Sequence, residues 1–196
     1  ILLNEKLFAR VKAVYEHHRD LTDEEQTLLD KSYDGFIRSG ANLSPENKEK
    51  FRAISKELNQ LTLQFSQNNL KETNAFQLHL TDKKDLAGLP DSAIEAAALA
   101  AKEKRLEGWL FTLHAPSYTP FMTYADNREL RKKMYMARNT LCTHDNEYNN
   151  QEIVKRIVNL RRERAQLLGY RTYADFVLKK RMAENSTNVY KLLNDL

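Results

Sequence analysis

The chain is poor in the residues that break or lock a backbone, with 5 glycines, 4 prolines and one cysteine, Cys142, among 196 residues. A single cysteine excludes an internal disulfide and suits a reducing compartment, so the expected location is the cytoplasm. Little Gly and Pro, beside 41% hydrophobic and 30% charged residues, argues against a β-sandwich and for helices around one substantial core. No run of 18 apolar residues occurs and no signal peptide is evident, so nothing marks a membrane span and no membrane partner is expected. Histidine is sparse too: His17, His18, His79, His114 and His144 are all there are. No two stand four apart, the spacing that sets two imidazoles on one helical face, and none is followed four residues later by Asp or Glu. Local spacing therefore offers no mononuclear zinc site.

What is present is helical grammar. Residues 1–19 read as a helix carrying Leu3, Leu7, Val11 and Val14. Thr22 with Glu25 forms a capping box for a second helix that ends at Gly40. Ser44, Pro45 and Glu46 start a third, in which Phe51, Ile54, Leu58, Leu61 and Phe65 recur at steps of three and four. That stripe fits an intramolecular bundle, and a coiled-coil interaction helix would show the same one. Phe76, Leu78 and Leu80 alternate with polar residues, as Trp109, Phe111 and Leu113 do with Leu110, Thr112 and His114, which predicts two half-buried strands. An Ala-rich helix capped by Asp91 or Ser92 and ending near Gly108 lies between them, so a parallel pair with a right-handed crossover is expected. Pro116 and Pro120 punctuate a short helical turn, and Asp126 caps a helix running to about Leu141. The expected fold class is mainly α, a helical bundle with one small two-stranded β element.

Several residues invite a chemical reading, and each has a structural one beside it. Asp126 resembles a functional acid, but Glu129 three positions on makes it a helix cap, and Asp175 stands in the same relation to Thr172. His79 and His114 fall on the polar faces of their strands, where surface roles outnumber substrate contacts. His144, Asp145, Asn146 and Glu147 lie in a polar loop, a weak metal site at best. Cys142 has only His144 nearby to activate it and reads as an ordinary, partly buried thiol.

Charge is unevenly spread. Residues 1–100 hold 13 Lys and Arg against 16 Asp and Glu, whereas residues 101–196 hold 18 against 11. Arg161, Arg162 and Arg164, with Tyr170 and Tyr173 as stacking partners, would suit phosphates. Ile153, Val154, Ile157, Leu160, Leu167 and Leu168 form a buried stripe on the same helix, for which basic residues are the ordinary solvated face, so no nucleic-acid partner is expected.

One block is distinctive. Trp109 to Arg131 reads Trp-Leu-Phe-Thr-Leu-His-Ala-Pro-Ser-Tyr-Thr-Pro-Phe-Met-Thr-Tyr-Ala-Asp-Asn-Arg-Glu-Leu-Arg. With Leu43 to Phe51, Phe65 to Leu70, Gly88-Leu89-Pro90, Leu160 to Tyr170, Tyr173 to Phe176 and Arg181-Met182-Ala183, in that order, it resembles the thimet oligopeptidase and peptidyl-dipeptidase family of zinc metallopeptidases. The Gly-Trp and Pro-Ser-Tyr-x-Pro-Phe-Met parts look closest to the peptidyl-dipeptidase branch. The resemblance implies a zinc ion held by H-E-x-x-H and a downstream Glu, the motif Glu acting as general base on zinc-bound water. It also implies oligopeptide substrates admitted through a channel, and release of C-terminal dipeptides.

None of that motif is in this sequence, so no catalytic, cofactor-binding or metal-ligating residue is assigned. The apolar pattern is under way at Leu3, and the helix from Asn188 to Leu196 has no stop signal, so both ends read as cut through helices. The expectation is one incomplete segment, 1–196, upstream of a catalytic zinc domain, with helices in 1–73, strand-helix-strand in 75–114 and helices in 117–196. Such a segment would bind no zinc, would be inactive alone, and would associate through apolar ends such as Leu2, Leu192, Leu193 and Leu196. A non-catalytic helical interaction module is the alternative.

Overall fold

The computed structural model describes residues 4–17 and 20–196. Leu2, Leu3 and His18, which carried parts of the sequence reading, lie outside the described residues. The elements run α1 (Glu5–His17), α2 (Asp23–Arg38), α3 (Pro45–Ala75), β1 (Leu78–Leu80), a 3-10 turn (Lys83–Leu86), α4 (Asp91–Glu103), β2 (Trp109–Phe111), α5 (Ala115–Tyr124), α6 (Arg128–Asn139), α7 (Gln151–Leu167), α8 (Tyr173–Leu178) and α9 (Ser186–Asp195). The chain is thus mainly helical with one small two-stranded sheet, as its composition predicts. It divides into two compact units, one containing the described residues up to Gln60 with Arg156–Leu196, the other Leu61–Lys155. The helices α3 and α7 contribute to both.

In the first unit the Thr22 capping box is present: its hydroxyl accepts from the Glu25 N–H while the Glu25 carboxylate accepts from the Thr22 N–H at 2.9 Å. The helix it starts stops at Arg38, where Ala41 N–H reaches back to the Phe36 carbonyl and Gly40 N–H to that of Ile37, a Schellman closure. Gly40 takes φ +87°, which that closure requires. Phe8 packs against Phe36 at 5.6 Å, and Tyr15 stacks on Tyr33 at 3.9 Å, so aromatic faces join α1 to α2. Ser44 Oγ accepts from Asn47 N–H at the start of α3, whose 31 residues extend roughly 46 Å. Phe51 and Leu58 of the stripe are buried, and Ile54 half-buried. Of the stripe expected on α7, Ile157 and Leu160 are buried and Leu167 and Leu168 half-buried; Val154 departs from it at 42% exposed, and Ala165 is buried in addition.

The second unit is organised on the strands. Leu78, Leu80, Leu86, Leu89, Ala97, Phe111, Leu113, Phe121, Ala125 and Met134 form its core, with the Phe111 and Phe121 rings edge-on at 4.7 Å. The strands are antiparallel, not parallel: Leu78 faces Phe111, His79 faces Leu110 and Leu80 faces Trp109. The cause is where α4 delivers the chain. Gly108, at φ +91°, lies against the end of β1, so close that a Cβ there would stand 2.3 Å from the Leu80 carbonyl oxygen. The second strand therefore starts beside the end of the first and runs back along it. Leu110, on the face expected to be polar, is buried too.

Three helix ends differ from the sequence reading. The Ala-rich helix begins at Asp91 with Pro90 as its cap and no side-chain cap bond, so neither Asp91 nor Ser92 serves as one. It ends at Glu103 rather than near Gly108, because Arg105 adopts φ +59° and Leu106 N–H bonds back to Ala101. The cap of α6 is Asn127, whose Oδ1 accepts from Glu129 and Leu130, in place of Asp126. Asp126 instead holds a corner: its N–H bonds the Ala87 carbonyl at 2.8 Å, and its own carbonyl accepts from Arg131.

Candidate functional site

A polar cluster gathers around Glu72, near the end of α3 in the second unit. His144 Nδ1 lies 2.7 Å from Glu72 Oε1, Asn146 Nδ2 donates to the same oxygen at 3.3 Å, and the Cys142 N–H donates to Oε2. Burial pushes the Glu72 carboxyl up, but the hydrogen bonds from His144, the Cys142 backbone and Asn146 outweigh it and leave its pKa lowered. Its electrostatics act on the thiol in the opposite sense. Burial first, then the hydrogen bond and charge of Glu72, raise Cys142 from 9.0 to about 11. The thiol is 4% exposed and protonated at neutral pH, unsuited to attack. Just beyond, the buried Asn68 amide donates to Asn150 Oδ1 and Asn150 donates to the Phe65 carbonyl, pinning the loop after α6 to α3. The loop in which sequence suggested a weak metal cluster is thus a docked turn, with Glu72, 72 residues upstream of His144, at its centre.

The other candidates have ordinary partners. His79 Nε2 sits 2.6 Å from the Glu107 carbonyl, and exposed His114 precedes α5. Asp175 completes the Thr172 capping box of α8. Tyr170 and Tyr173 pack on Phe176 at 5.3 and 6.1 Å and lie under Lys179 and Arg161.

Sequence reasoning missed a groove of about 640 Å³ in the first unit, lined by Asn47, Lys50, Ala53, Ile54 and Glu57 of α3 and by Arg156, Glu163, Gln166 and Leu167 of α7. Arg156 grips Glu57 through two hydrogen bonds, Nε at 2.6 Å and Nη2 at 2.7 Å, and touches Glu163 at 3.7 Å. The guanidinium hydrogen bond holds the Glu57 carboxyl below its usual range. Arg156 and Glu163, seven residues apart on one helical face, were a local hint; Glu57, 99 residues away, left none.

Zinc, implied by the sequence resemblance, does not fit these groups. Among the described residues no three His, Cys, Asp or Glu stand where they could hold a metal ion. No described helix is long and apolar enough to cross a membrane.

Comparison with known proteins agrees with the Trp109–Arg131 block. Residues 121–196 match the model of peptidase family M3. The chain is 38% identical over 185 residues to oligopeptidase A of Escherichia coli (strain K12), covering 92% of this chain and 27% of that protein. It is 34% identical over 187 residues to a dipeptidyl carboxypeptidase of Salmonella typhimurium (94% and 28%) and 32% identical over 194 residues to saccharolysin of Saccharomyces cerevisiae (96% and 26%). It therefore spans little more than a quarter of the length of these relatives. The chain is thus similar to peptidase family M3 over residues 121–196, and along nearly all of its sequence to proteins named as peptidases.

Proposed function

We propose that the chain is one segment of a zinc-dependent peptidase that hydrolyses short oligopeptides, and that it supplies scaffold and substrate-channel wall while the metal site lies elsewhere in the protein. The observation that carries this is the 38% identity to an oligopeptidase over 92% of the chain, joined to the 27% of that relative which the match spans. The sequence contains no H-E-x-x-H, so the ion, its ligands and the general base must come from other residues. Release of C-terminal dipeptides is the finer specificity, in keeping with a relative named as a dipeptidyl carboxypeptidase. The single cysteine suits a cytoplasmic setting. No nucleic-acid or membrane partner enters this reading.

A quenched-fluorescence peptide assay tests it. The 196-residue chain should show no turnover with or without chelator, whereas the longer protein translated from the native reading frame should cleave the peptides and lose that activity to a chelator. Chelator-sensitive turnover by this chain alone would falsify the assignment of the metal site elsewhere. Absence of turnover by the longer protein would favour a non-catalytic helical interaction module.

A further inference from the structure

We propose that the groove between α3 and α7 binds an extended oligopeptide bearing a cationic side chain, with Glu163 taking the cation; the choice of a peptide as ligand rests on the peptidase reading above. Three of the nine lining residues have bonding capacity that the fold leaves unused. Among the described residues, the side-chain amides of Asn47 and Gln166 have no hydrogen-bond partner. An amide offers both a carbonyl acceptor and N–H donors, so each can make the pair of bonds that a peptide group presents.

The third is Glu163. Arg156 spends its short bonds on Glu57, and Lys50 is taken by Glu46 at 2.7 Å, so among the described residues Glu163 retains only the long 3.7 Å contact with Arg156. The lining carries two cations and two carboxylates, and with Lys50 held from outside it by Glu46 and Arg156 held by Glu57, the Glu163 carboxylate is the charge left open to a ligand cation. Ala53, Ile54 and Leu167 give the apolar surface that an aliphatic stem or neighbouring side chain needs, and the volume falls within the roughly 300–1,000 Å³ of small-ligand sites. The two-bond clamp of Arg156 on Glu57 ties α7 to α3 across the groove, so little order has to be acquired on binding.

The experiment is an NMR titration of the 196-residue chain with two short peptides, both N-acetylated and C-amidated, that differ only in one central Lys or Gln. Backbone amides of Ala53, Ile54, Glu163 and Leu167 should shift, and the Lys peptide should bind about threefold more tightly, as expected for one exposed ion pair. Glu163→Gln should abolish that preference while leaving the Gln peptide unaffected. Asn47→Ala with Gln166→Ala should weaken both peptides by about fivefold. All three residues are at least partly exposed, so the far-UV signal should not change. Shifts confined to other surfaces, no shifts at about 1 mM peptide, or a Lys preference that survives Glu163→Gln would each overturn the proposal. In the longer protein, the same exchange should raise KM for the Lys peptide about threefold with kcat unchanged, and an unmoved KM would likewise overturn it. Hydrolysis by the longer protein without groove binding defeats this proposal alone. Groove binding without hydrolysis defeats the peptidase reading and leaves the peptide site standing.

Discussion

Glu72 shows how one side chain can organise a loop. Its two oxygens receive bonds from the Cys142 backbone, His144 and Asn146, and its side chain is 12% exposed, so its loss would leave several donors without an acceptor. We expect Glu72→Gln, which keeps the shape and removes the charge, to cost about 1–3 kcal/mol of unfolding free energy in a urea titration. The pH dependence follows from the direction of the shift. A carboxyl whose folded pKa is lowered contributes stability in full above its ordinary value, here 4.5, and loses it as pH falls through the lowered folded value. The variant should therefore flatten the acid limb of the stability curve. It should also speed alkylation of Cys142, whose thiol Glu72 helps to hold near 11. An acid limb as steep as that of the parent chain would show that other carboxylates control it.

Among the elements, the boundaries fixed by adjacent residues were the legible ones. The Thr22 and Thr172 capping boxes and the Gly40 stop all use partners within five residues, and all stand where the sequence puts them. Misreadings arose where two neighbours compete or where the deciding partner is distant. Asp126 and Asn127 both suit a cap, and Asn127 takes the role because Asp126 is drawn into the corner against Ala87, close to Gly88. Gly88, at φ +84°, permits that approach, since a Cβ there would meet the Tyr124 carbonyl oxygen at 2.2 Å. Strand direction depended on the delivery of Gly108 to Leu80, and the Glu57–Arg156 wall on a pair 99 residues apart, neither of which has a local signature. The cap assignment has a direct check. Asn127→Ala should lower stability by about 1 kcal/mol, more than Asp126→Ala does, since Asn127 also donates to Asp85. Equal losses in paired denaturation curves, or a larger one for Asp126→Ala, would return the cap to Asp126.

For the molecule as a whole, the telling feature is apolar surface left in the open. Along α9, Val189, Leu192, Leu193 and Leu196 recur at i, i+3, i+4 and i+7, the spacing of one helical face, yet Leu192 is 63% exposed, Leu193 59% and Leu196 95%. In the same unit a second apolar groove, of about 360 Å³, is lined by Val11, Leu21, Leu28 and Leu29 of the α1–α2 pair, with Leu28 67% exposed. A monomer seldom keeps such surface dry of partners, since each buried side chain of this size gains roughly 1.5–3 kcal/mol. At a net charge of +4, repulsion between copies is too weak to oppose contact. The chain should therefore associate reversibly, with a mass in sedimentation equilibrium that rises with protein concentration. Replacing Leu192 and Leu193 by Lys should return it toward monomer with the helical signal intact, because neither side chain belongs to the core. A monomer at every concentration would mean that these leucines tolerate water, whereas association untouched by the Lys exchanges would move the contact to the α1–α2 groove.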